Sequence, residues 1–131
     1  MQAAKILSFA SIVEVGTGLA LSIDPGLVVG LLLGANLSPE ILPLGRVAGV
    51  ALLTLGLACW PGGQPIGSSS PAFRGMLAYN VLIAFYLAYL GAVAGQGGLL
   101  LWPAVALHAV VALLLIWTAR TDQRTQTSSS A

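Results

Sequence analysis

The chain has 131 residues, 57% of them hydrophobic and 7% charged, and its formal net charge is +1. A soluble domain carries about 25% charged residues, so an ordinary water-facing surface is excluded, and a near-neutral balance leaves no nucleic-acid footprint. Cys59 is the single cysteine, which excludes an intrachain disulfide. A bilayer solvent accounts for the missing charge, and in lipid the backbone must satisfy its own hydrogen bonds. The expected fold class is all-α: an integral-membrane four-helix bundle with a short extra apolar helix between spans 1 and 2.

The first span is expected over residues 4–23. Glu14 stands in its middle, which a cleaved signal core avoids, and Ser22-Ile23-Asp24-Pro25 makes a poor cleavage site, so the segment reads as a retained helix. Asp24-Pro25-Gly26 ends it, because proline cannot extend the helical ladder. Residues 25–34 are apolar but too short to span. They are expected to lie at the surface or to fold back on the bundle. Ser38-Pro39-Glu40 is expected to cap the second span, over 41–60, with the acid at the positive end of the helix dipole.

The third span is expected over 72–95 and stops in Gly95-Gln96-Gly97-Gly98. The fourth covers 102–119, with Pro103 in its first turn. These spans form a single domain, 1–120. Residues 121–131 are polar and Ser/Thr-rich, and are expected to be a disordered cytoplasmic tail. Trp60, Trp102 and Trp117 fall near predicted helix ends, where indole rings favour the interface. With four spans, Lys5, Arg74, Arg120 and Arg124 share one side. The positive-inside rule then places both termini in the cytoplasm, and the expected location is a bacterial inner membrane. Gly45 and Gly49, like Gly91 and Gly95, have the spacing that lets helices approach closely. It serves packing within the bundle or a homo-oligomer contact.

Each span carries a polar residue where polarity is costly. An unpaired charge at mid-membrane costs at least about 2.5–3.5 kcal/mol. Glu14 lies mid-span and Arg46 lies early in the second span. Counted from the helix ends their depths differ by only about 5 Å, so a Glu14–Arg46 ion pair facing the bundle interior is expected. Thr17, one turn from Glu14, and His108 on the fourth span complete a candidate pocket of Glu14, Thr17, Arg46 and His108. Such a cluster either organises the bundle or holds a ligand or proton. Asn80, beside Tyr79, is a secondary polar position, as are Tyr86 and Tyr89.

His108, Cys59 and Met76 are too few and too scattered for a metal site, so no metal or cofactor is expected. No catalytic residue is expected either: Ser11 is the mid-membrane serine, and nothing supports a Ser–His–acid arrangement around it.

Two resemblances follow. Pro25 with Leu31-Leu-Leu-Gly34, then Arg46-x-x-Gly49-x-x-Leu52-Leu-x-x-Gly56, resembles the DoxX-like small four-helix membrane proteins and their uncharacterised relatives. That resemblance implies an accessory or small-molecule-binding subunit, beside a membrane oxidoreductase in some members, and carries over Arg46. Ala10-x-x-Val13-Glu14-Val15-Gly16-Thr17 is similar to the first helix of the small multidrug resistance family. It covers one helix and implies proton-coupled export of small molecules with Glu14 as the coupling residue.

Overall fold

The computed structural model describes residues 2–63 and 66–129. The described residues fold into five helices: α1 (Gln2–Ile23), α2 (Pro25–Leu33), α3 (Leu42–Ala58), α4 (Pro71–Ala92) and α5 (Leu101–Ser129). Three of them, α1, α4 and the Leu101–Asp122 part of α5, are long and apolar enough to cross a membrane. The second expected span is shorter than 41–60. With 17 residues, α3 extends about 25 Å against a hydrocarbon core of about 30 Å.

Local chemistry sets the boundaries. Asp24 both ends α1 and starts α2, its carboxylate accepting the Leu27 N–H at 2.9 Å. Pro25 follows in the first turn, where a missing N–H does no harm. Ser70 caps α4 by accepting the Phe73 N–H at 3.2 Å, with Pro71 next. The cap expected from Ser38-Pro39-Glu40 does not form. The α3 N-cap is Ile41, which has no side-chain cap bond. Glu40 instead turns its carboxylate to its own backbone amide and the Ser38 hydroxyl, which together hold its pKa below the ordinary carboxylate value.

The expected disordered tail differs too. The backbone stays helical as far as Ser129, because each added residue extends an existing helix at the cost of one residue's freedom and gains a hydrogen bond. Residues 130 and 131 lie outside the described residues.

The helices pack as two antiparallel pairs, α1 with α3 and α4 with α5, and α1 joins the pairs through contacts to α5 and α4. The α1–α3 seam is built on small residues. A side chain at Gly56 would strike the Ser11 carbonyl oxygen at 2.8 Å, and one at Gly49 would strike the Ser22 nitrogen at 2.5 Å. Gly18 lies equally close to the Leu53 backbone. Gly45 faces Pro25. The four-residue glycine spacing on α3 is therefore used inside the chain, as membrane helix packing allows.

One end of the molecule is filled by Ala3, Leu7, Ala10, Cys59, Phe73, Met76, Val111 and Leu115. Exposed Lys5, Arg74 and Arg120 flank that end. Phe9, Ile12, Leu82, Phe85, Leu113 and other large apolar side chains point outward. A water-facing surface does not tolerate such continuous exposure, whereas a bilayer requires it.

Candidate functional site

Three helices bring buried polar side chains together where the two pairs meet. Glu14 of α1 is 1% exposed, Asn80 of α4 is 1% exposed and His108 of α5 is 8% exposed. The Asn80 amide nitrogen donates to the Met76 carbonyl at 2.9 Å. That places Asn80 Oδ1 toward the ring of His108, 3.0 Å from Nδ1. A carbonyl oxygen can only accept, so the His108 proton sits on Nδ1 and, in the neutral ring, Nε2 carries the lone pair. Tyr79 meets the same ring edge-on, with centroids 5.8 Å apart.

Glu14 Oε1 lies 3.9 Å from His108 Nδ1, within ion-pair reach. The Nδ1 proton is already directed at Asn80, so it does not satisfy the carboxyl. The Tyr79 hydroxyl lies within hydrogen-bonding reach of the Glu14 carboxyl, yet neither Glu14 oxygen has a hydrogen-bond partner of good geometry. Ser11, fully buried one turn away on α1, has an unpartnered hydroxyl as well. Native structures satisfy most buried polar atoms, so three orphans on one turn of one helix call for a functional account.

The expected pocket is thus partly assembled. Glu14 and His108 converge, and Asn80, expected as secondary, is the group that binds His108. The Glu14–Arg46 pair is not formed. Arg46 is exposed, and the glycine seam explains why. Gly49 packs against Gly18 and Ser22, which sets Arg46 level with residues 21–25. It is offset from Glu14 by about seven residues or more, at least about 10 Å along α1. Thr17, one turn from Glu14, is exposed and not buried with it. Tyr86 and Tyr89 are also exposed, turned away from the cluster.

Ser11 and Tyr79 are the members that the expected pocket omits. The signal for Ser11 is its position three residues from Glu14, on the same helix face. Among the described residues no group of three or more His, Cys, Asp or Glu side chains converges as a metal site would require. An apolar groove of about 370 Å³ between α4 and α5, lined by Val81, Phe85 and Val105 among others, contains none of the clustered polar residues.

The chain matches no protein-family model, no curated protein and no solved structure.

Proposed function

We propose that this chain is a proton-handling membrane protein in which Glu14 and His108 take up and release a proton in step with the movement of a small molecule. The observation that carries this reading is the Glu14 carboxyl, 1% exposed, with neither oxygen in a well-aligned hydrogen bond and a titratable imidazole 3.9 Å away. A carboxyl kept only for architecture is expected to have its hydrogen bonds made. One left open beside a second titratable group can exchange protons, and intramembrane carboxylates and histidines are the usual parts of a proton relay.

The similarity of Ala10 to Thr17 to the small multidrug resistance first helix supports the same role for Glu14. The distance of Arg46 supports it further, since a fixed cation on Glu14 would repel a cationic cargo. On this reading α3 is the fourth span, extended to the interface by Cys59 and Trp60. Lys5, Arg74 and Arg120 then lie on the cytoplasmic side of a bacterial inner membrane, and both termini are inside.

A second reading has its own support. Arg46 stands exposed beside the equally exposed Leu44 and Val47. A charge unpaired on an apolar face suits an accessory or small-molecule-binding subunit whose oxidoreductase partner brings the acid, as the DoxX-like resemblance implies.

The test is infrared difference spectroscopy on the full chain in lipid vesicles, titrated across the physiological pH range. A carboxylic-acid band that titrates and is lost in Glu14→Gln supports the proposal. pH-gradient-driven movement of tetraphenylphosphonium, also lost in Glu14→Gln, extends it to transport. No Glu14-dependent band anywhere in the range overturns it.

A further inference from the structure

The C-terminal carbonyls of a helix have no intrahelical partners. At the end of α2 they are taken by the loop joining α4 to α5. Gly97 donates its N–H to the Leu33 carbonyl at 3.1 Å, and Leu100 donates to the Leu31 carbonyl at 2.8 Å. Gly98 sits so close to the Leu31 and Leu32 backbone that a Cβ there would collide with it. Gly34, at φ 69°, lies against the Gly97 carbonyl. Two backbone hydrogen bonds and one interlocked glycine therefore fasten α2 to the 96–100 loop.

This clasp joins parts of the chain that belong to different helix pairs. α2 follows α1, packs on α1 and α3 and touches α5 to a smaller extent, while the loop joins α4 to α5. The Glu14–His108 contact lies along the line where those pairs meet. At the end away from the clasp, that line is filled by Leu7, Phe73, Met76 and Leu115, all fully buried. At the clasp end its fully buried large side chains include Leu101, which follows Leu100 directly and donates its own N–H to Gly98 at 3.2 Å. Freeing the clasp frees Leu101 with it. Opening at the other end would separate an apolar plug drawn from three helices, so the clasp end is the easier one to part.

We propose that α2 is a strap, and that release of its clasp on the 96–100 loop admits water to the Glu14–His108 seam from that end of the bundle. The inference rests on the proton-handling reading above. The groups that face the exchanging carboxyl are Ser11 on its own helix, Tyr79 and Asn80 on α4, and His108 on α5; Cys59 is close enough to interact electrostatically. None of them belongs to the strap.

The experiment follows hydrogen–deuterium exchange at the Glu14 carboxyl, read from the infrared band lost in Glu14→Gln, with the full chain in lipid vesicles. Gly98→Ala wedges the clasp. Leu100→Pro removes the donor to Leu31 and sets its ring carbon against that carbonyl, so it breaks the clasp from the loop side. Gly97→Ala is the control, because a Cβ there meets nothing within 4 Å. Losing one clasp bond is expected to speed exchange about fivefold or more, with Gly97→Ala at the native rate. Native exchange rates in Gly98→Ala and Leu100→Pro overturn the strap while leaving the titrating Glu14 band, and so the proton-handling reading, intact. Loss of helical signal in both variants overturns it as well, since the clasp is then a requirement for folding rather than a gate. Absence of a Glu14 band in the native chain removes the proton-handling reading first and the strap with it.

Discussion

His108 gives its Nδ1 proton to Asn80, at 3.0 Å from Oδ1. That single bond fixes the ring's tautomer and orientation. It also explains why Glu14, 3.9 Å from the same nitrogen, remains without a hydrogen bond. Asn80 can play this part because its own amide nitrogen is held by the Met76 carbonyl one turn back on α4. The cluster is therefore ordered from α4 toward α5, and α1 supplies the group left open.

Removing Asn80 should be felt at His108 first. Asn80→Ala leaves the buried ring N–H of His108 without a partner, at about 1–3 kcal/mol, while the Met76 carbonyl keeps its helical bond. The ring is then free to shift its proton to Nε2. Nitrogen NMR of labelled histidine should show that tautomer change, and detergent unfolding should show the loss of stability. An unchanged Nδ1–H signal would mean that Asn80 does not orient the ring.

Glu14 and Arg46 should behave as strangers. Arg46→Ala is expected to change stability by no more than about 0.5 kcal/mol, as for other exposed substitutions. The double-mutant cycle with Glu14→Gln should show no coupling beyond experimental scatter. The Glu14–His108 cycle should show a clear coupling term. Coupling in the first cycle and none in the second would restore the Glu14–Arg46 pair and remove the site described here.

The α1–α3 seam should resist enlargement wherever backbone meets backbone. Gly56→Val pushes a side chain against the Ser11 carbonyl oxygen and the Val15 nitrogen, 2.8 and 2.9 Å from the first added carbon. Neither can yield without moving a helix, so a loss of about 1–3 kcal/mol or more is expected. The loss should appear in a dilute, monomeric preparation, because the contact lies within one chain. A variant that alters oligomeric state and leaves monomer stability alone would contradict the seam.

Glu40 offers a test in the water-facing part of the molecule. Its own amide and the Ser38 hydroxyl hold its carboxylate below the ordinary pKa. A depressed folded-state pKa adds stability above the unfolded value, and that contribution disappears as pH falls through the folded one. Ser38→Ala should move the Glu40 midpoint back toward the ordinary carboxylate value, as followed by carboxyl carbon NMR. A midpoint that does not move would mean that the backbone amide alone sets the shift.

Much of this architecture was legible in the chain. Runs of apolar residues locate α1, α4 and α5, and Asp24 with Pro25 marks a boundary that the α2 cap confirms. The polar positions Glu14, Asn80 and His108 stand out because lipid makes them costly. The Asn80–His108 bond and the separation of Arg46 from Glu14 were not legible. Depth counted from helix ends carries an error of several residues, and the true offset between α1 and α3 is set by which glycine meets which backbone atom. Gly49 against Ser22, and not the helix ends, decides where Arg46 falls. Rotation about the axis was hidden for a similar reason, since the apolar residues surround each helix and do not mark an inner face. The helical stretch after Arg120 was equally invisible, because polar composition alone does not distinguish a tail from the continuation of a helix already formed.

Ser11 gives the sharpest separation between architecture and activity. Its hydroxyl is buried beside Glu14 with nothing to bond, so the folded chain bears the cost of desolvating it, about 1–3 kcal/mol. Ser11→Ala removes that cost and leaves a methyl group in nearly the same volume. The Ser11 carbonyl, which packs against Gly56, is untouched. Stability should therefore hold or rise, by up to about 1 kcal/mol. Proton exchange at Glu14 should slow, because the hydroxyl is the polar group one turn along the same helix face that can pass a proton or hold the water that does. A purely structural serine would give the opposite pattern, with stability lost and exchange unchanged. Unfolding measurements and the infrared exchange rate on one preparation read both quantities, and the two accounts of Ser11 predict different outcomes in each.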